Sequence, residues 1–115
     1  MSTLPETTAL ALVRDRSVLT VTLNRPEVRN AMSLVMVREL EAVFAAVSGD
    51  RTLRTIVIRG AGGHFCAGGD VKDMAGARMA EAKDGKDPIA EVNRAFGRML
   101  EAAEAEPHAL VAVCE

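Results

Sequence analysis

The sequence predicts an α/β fold, and three observations carry the prediction. Val18-Leu19-Thr20-Val21-Thr22-Leu23 alternates at a period of two, as a half-buried strand does. Met36, Leu40, Val43, Phe44 and Val47 then fall on one stripe of an α-helix. Ile56-Val57-Ile58 follows as a short β-branched run, so the order is strand, helix, strand.

The elements follow in order. Residues 9–13 are apolar and Arg14-Asp15-Arg16-Ser17 is polar, so residues 9–23 predict a β-hairpin with a four-residue connection. Arg25-Pro26 stops the second strand, because proline has no N–H for the ladder. Ser33 is the expected N-cap of the first helix and Gly49 its expected stop. Thr55 and Arg59 bound a buried central strand. Asp70 is placed to cap a short helix through Met74, with Asp73 at its third position, where an acid favours the helix start. Residues 75–87 are small, polar and lysine-containing and predict an exposed loop or a frayed helix. Asp87-Pro88 opens a second long helix whose stripe is Ile89, Val92, Phe96, Met99, Leu100 and Ala103, ended by Glu106-Pro107. Leu110–Cys114 begins a further buried strand. The succession β-β-α-β-α-α-β calls for more strands, and the expectation is the N-terminal part of a larger α/β protein.

Composition narrows the function. The chain has 115 residues, 49% of them hydrophobic and 26% charged, an ordinary globular balance. Fourteen basic against sixteen acidic residues argue against an electrostatic nucleic-acid binder, and 3% aromatic content argues against a base-stacking platform. No apolar run reaches membrane-spanning length, and Met1-Ser2-Thr3-Leu4-Pro5-Glu6 has neither the basic nor the apolar region of a secretory signal. Cys66 and Cys114 form no disulfide framework, which fits a reducing, cytoplasmic setting.

Five of the nine glycines lie in Gly60-Ala61-Gly62-Gly63-His64-Phe65-Cys66-Ala67-Gly68-Gly69-Asp70. The stretch fails the P-loop, since Gly69-Asp70 stands where Lys-Ser/Thr belongs, and fails GxGxxG, since Phe65 stands where the last glycine belongs. A strand, a glycine loop and a helix start leave backbone N–H groups free and let a ligand approach closely. That suits an anion, or an oxygen that becomes one during reaction. It suits equally a flexible strand-to-helix turn that uses glycine for positive φ.

Two segments resemble a known family. Leu23-Asn24-Arg25-Pro26-Glu27-Val28-Arg29-Asn30-Ala31-Met32-Ser33 is similar to the N-terminal signature of the crotonase superfamily, the enoyl-CoA hydratases and isomerases. His64–Met74 resembles that family's central loop, F-x-A-G-[AG]-D-[LIV]-K-x-M. The resemblance covers about Leu10 to Glu115, and the helix and strand between the motifs match as well. It implies a crotonase-like (ClpP/crotonase) spiral of β-β-α repeats, of which residues 1–115 would be roughly the first half of a single acyl-CoA-binding domain. It implies an enzyme of fatty acid metabolism, a lyase or isomerase, that stabilises a thioester enolate. Hydration of a 2-enoyl-CoA leads; isomerisation, another crotonase chemistry, or a noncatalytic CoA-binding or oligomer-forming member are the alternatives. Acyl-CoA is the substrate, with no metal and no redox cofactor. The family assembles as trimers and dimers of trimers.

By the resemblance, the backbone N–H of Gly69 is one of two oxyanion-hole donors, backbone around Ala67, Asp70, Val71 and Lys72 lines the CoA moiety, and the chain near Val28 approaches the adenine. Lys72 is also the basic partner expected for a CoA phosphate, against the alternative of a solvated lysine. The second donor and the acid/base glutamates belong to a region after the strand begun at Leu110, and Glu115 is assigned no catalytic role. Cys66 reads as a small buried thiol; His64 and His108 as surface or capping residues; Asp50, Asp73, Glu101 and Glu104 as helix-surface charges; Met32, Met36 and Met99 as packing residues.

Overall fold

Alternation along residues 18–23 puts Leu19, Val21 and Leu23 on one face of the sheet, and all three are buried there. In the computed structural model, which describes residues 3–66, 68 and 88–114, β1 (Leu10–Asp15), β2 (Val18–Leu23), β3 (Thr55–Gly60) and β4 (Ala109–Ala112) form one sheet in that order. β1 and β2 are antiparallel; β2, β3 and β4 run parallel. Helix α1 (Leu34–Val47) connects β2 to β3, and helix α2 (Pro88–Glu104) precedes β4.

α1 starts where the sequence puts it. The Ser33 hydroxyl accepts the Met36 N–H at 3.1 Å, satisfying one of the donors that a helix start leaves open. Its buried stripe is Met36, Val37, Leu40, Val43, Phe44 and Val47, packed with Leu19, Val21, Leu23 and Ile56 of the sheet. Burial of side chains this large is worth about 1.5–3 kcal/mol each before the cost of ordering them. The helix ends on Ser48, in ordinary right-handed geometry, with no left-handed cap at Gly49.

Three expectations are corrected. The hairpin connection is two residues long, Arg16-Ser17, because Arg14 and Asp15 continue β1; Asp15 pairs with Val18, and Arg16 takes the turn's positive φ of 56°. The seam of α2 includes Ala95, Met99, Ala102 and Ala103: Met99 and Ala103 pack as expected and Ala95 is buried as well, whereas Phe96 and Leu100 are 36% and 52% exposed. The helix packs on α1 with Ala95 turned inward and Phe96 beside it turned outward. β4 pairs with β3 on one side, yet Leu110, Val111 and Val113 are exposed, so it is not the buried strand expected. The short helix after Asp70, the segment 75–87 and the Asp87 cap lie outside the described residues. Among the described residues, no helix is long and apolar enough to cross a membrane.

Two supposed surface groups are buried at the edge where β2 begins. Asp50 accepts from Arg14 Nη1 at 2.6 Å, and Arg14 Nη2 also donates to Thr52 Oγ1 at 2.8 Å. His108, whose side chain is only 8% exposed, donates from Nε2 to the Asp50 carbonyl at 2.7 Å and turns Nδ1 to the Glu106 carboxylate. Burial by itself opposes charge on this ring. The Asp50 carbonyl, the Glu106 carboxylate and the negative charges of both residues outweigh it and hold His108 above its ordinary value of 6.5. A raised value means that the folded state favours the proton. The stability contributed is therefore complete below the unfolded value and is lost as pH rises through the folded one. Denaturant midpoints measured from pH 5 to 9 are expected to fall over that window, and His108→Gln is expected to flatten this part of the profile.

Candidate functional site

Parallel strands bring the same end of each strand to one edge of the sheet. Leu23 pairs with Gly60, and Ile58 with Ala112, so residues 24–32, residues 61–66 and residues 113–114 leave that edge side by side. In open α/β sheets ligands bind outside the carboxyl ends of the strands.

The first loop is a tight knot. Pro26–Val28 forms a single 3₁₀ turn, and the next two residues, Arg29 and Asn30, have φ of 54° and 57°. Asparagine is one of the few side chains that enters this left-handed region readily. Arg25 N–H donates to Asn30 Oδ1 and Asn30 N–H to the Arg25 carbonyl, both at 2.8 Å, while Arg25 Nη1 donates to the Ala31 carbonyl at 2.7 Å. Val28, the residue expected near the adenine, ends the 3₁₀ turn and is half-buried.

The second loop turns back on its own strand. Ala61–Gly63 makes another 3₁₀ turn, in which Gly62 and Gly63 have φ of 76° and 81°. A Cβ on Gly62 would stand 2.9 Å from the Cβ of Pro26, so the two loops touch there. Phe65 and Cys66 are partly buried and pack against the core, and the Cys66 sulfur lies 3.5 Å from the Gly68 nitrogen. His64 is exposed.

Side chain and backbone of the first loop grip the second. Asn30, with no exposed surface, donates both Nδ2 hydrogens across the gap, to the Ala61 carbonyl at 2.9 Å and the His64 carbonyl at 2.8 Å. Met32 N–H donates to the Gly68 carbonyl at 2.6 Å. The glycine loop is thus held at its start, its middle and its end. Asn30 stands in the first motif, but the sequence reading gave it no role. Its positive-φ aptitude was a readable signal; its partners, 31 and 34 residues away, were not.

Of the expected site residues, the structure places Val28 in the first loop. Ala67, Gly69, Asp70, Val71 and Lys72 lie outside the described residues, so the loop that leads to them is described as far as Gly68. Met32, Met36 and Met99 pack in or against the core, as expected. Among the described residues, no three His, Cys, Asp or Glu side chains gather where they could hold a metal. A shallow depression of about 510 Å³ lies at the opposite edge, around Asp50 and His108. It includes no residue of either loop and is not the candidate site.

Residues 14–100 match the family model of enoyl-CoA hydratase/isomerase. The fold is similar to that of AtuE from Pseudomonas aeruginosa, with a TM-score of 0.87 and 57% identity over 94% of this chain and 40% of that one. Enoyl-CoA hydratase EchA19 of Mycobacterium tuberculosis is 46% identical over 63 residues, 54% of this chain and 24% of the relative. The mitochondrial Delta(3,5)-Delta(2,4)-dienoyl-CoA isomerase of Mus musculus is 44% identical over 75 residues, 65% of this chain and 23% of the relative. The chain therefore spans well under half the length of the proteins it matches.

Proposed function

The chain belongs to the enoyl-CoA hydratase/isomerase family, and from that premise we propose that the whole protein binds an acyl-CoA thioester and stabilises its enolate while hydrating a 2-enoyl-CoA. The observation that carries the reading is the grip on Gly68 at the carboxyl edge of the sheet. A peptide is planar and almost always trans, so a held carbonyl aims the N–H of the same peptide the opposite way. With the Gly68 oxygen turned to Met32, the Gly69 N–H is the donor proposed to face the thioester oxygen. A donor fixed before the reaction costs no reorganisation when negative charge develops there, and one such donor is worth about 3 kcal/mol in the transition state.

Within this reading, backbone at Ala67, Asp70 and Val71 lines the CoA moiety, Lys72 meets a CoA phosphate, and Val28 lies toward the adenine. Hydration adds a water oxygen to C3 and a proton to C2, and the negative charge passes through the thioester oxygen. Isomerisation of the double bond passes through the same enolate. It stands as the second reading because the dienoyl-CoA isomerase is about as similar to this chain as the hydratase is.

Two substrates separate them. The whole protein is expected to bleach the conjugated absorbance of a 2-enoyl-CoA as water adds. Conjugation appearing from a 3-enoyl-CoA, with no hydration of the 2-enoyl compound, makes it an isomerase. Failure to bind or turn over either thioester overturns the proposal.

A further inference from the structure

We infer that Asn30 is a positioning residue for the thioester site: it sets the glycine loop so that the oxyanion donor stands where the carbonyl oxygen develops charge. The inference rests on the functional reading above and deepens it, because no reacting group need touch Asn30. Its side chain is fully buried and has three bonds in three directions, from Arg25 N–H within its own loop and to the Ala61 and His64 carbonyls of the glycine loop. Two residues further on, Met32 N–H takes the Gly68 carbonyl. The same left-handed turn that aims the Asn30 side chain at Ala61 and His64 therefore also delivers the Met32 amide to Gly68. Contact between Pro26 and Gly62 closes the other side.

No other residue type fits this set of bonds. One acceptor and two donors are needed on a short side chain, at a backbone position with φ of 57°. Aspartate keeps the size, the backbone preference and the acceptor for Arg25, but as a carboxylate it has no hydrogen for either carbonyl. Glycine keeps the backbone conformation and removes all three bonds. Neither change alters a residue proposed to touch CoA or the acyl group.

The experiment compares the whole protein with Asn30→Asp and Asn30→Gly, each checked for folding by its unfolding midpoint. Three readouts are taken: kcat on a 2-enoyl-CoA, Kd for free CoA, and the red shift of a bound aryl-conjugated enoyl-CoA whose carbonyl is polarised by the oxyanion donors. Misplacing a catalytic donor by about 1 Å costs about 100-fold, so kcat is expected to fall about 100-fold in both variants and the red shift to shrink. Free CoA has no thioester carbonyl to polarise, so its Kd is expected to change by much less than kcat, by only what the shifted loop contributes to holding CoA. A merely structural role predicts a different result: kcat and CoA-binding capacity fall together with the folded fraction, and the remaining folded protein keeps the full red shift. That result overturns the inference, as does a folded variant with kcat and red shift like the parent's. If the parent protein itself neither binds nor polarises the thioester, the functional reading fails first and takes this inference with it.

Discussion

Replacing Gly69 with proline in the whole protein is expected to abolish turnover, while Gly69→Ala is expected to keep it. Proline has no backbone N–H, so the substitution deletes the proposed oxyanion donor. Loss of one such donor costs about 10²–10³-fold in kcat. Alanine keeps the N–H, and the family pattern that residues 64–74 resemble accepts alanine or glycine at this position. Proline also restricts the residue before it, Gly68, whose φ is 109° and whose carbonyl Met32 holds. An unfolding midpoint and a Kd for free CoA therefore accompany the assay. A Gly69→Pro protein that folds, binds CoA and turns over at the parent's rate would remove Gly69 from the oxyanion hole.

What could be read from the sequence follows from the range of the forces involved. The period-two alternation of residues 18–23 and the stripe of α1 are local patterns imposed by one buried face, and both appear in the structure as read. Ser33 was legible as a cap because its bond reaches only three residues on. Partnerships across the fold were not legible. Arg14 reads as part of a polar turn, yet it lies in β1 opposite Leu19 and its guanidinium meets Asp50, 36 residues away. Phe96 and Leu100 share the periodicity of α2, but the packing of α2 on α1 turns Ala95 inward instead. His108 finds the Asp50 carbonyl 58 residues away.

The candidate site divides in the same way. Its two loops are visible as motifs because glycine, proline and asparagine each answer a local backbone need. What joins the loops is a set of hydrogen bonds between residues more than 30 apart. A pattern of residue types carries no trace of which carbonyl a buried amide will meet.

Gly60 is where these constraints meet, and Gly60→Ala is expected to have the largest effect on the fold and the site together. Its φ of −112° and ψ of 140° are ordinary extended values, so the backbone conformation does not require glycine. Space does. A Cβ built on Gly60 would lie 1.8 Å from the His64 carbonyl oxygen and 2.7 Å from the Phe65 oxygen. Both neighbours are backbone, so no rotamer change relieves the clash. The His64 oxygen is also held by Asn30 at 2.8 Å, and Gly60 is held in the sheet opposite Leu23. Either the end of β3 leaves the ladder or the glycine loop leaves Asn30. Overpacking of this kind costs about 1–3 kcal/mol and sometimes more, and the upper end applies where backbone must move. If instead the loop yields, the misplaced donor shows as a kcat lower by about 100-fold. Gly49→Ala is the control. No atom stands within 4 Å of the added Cβ and φ is not positive, so its stability is expected to change by less than about 1 kcal/mol. Denaturant midpoints and turnover of the two variants decide the matter: a Gly60→Ala protein as stable and as active as Gly49→Ala would mean that His64 and Phe65 do not fold back over β3.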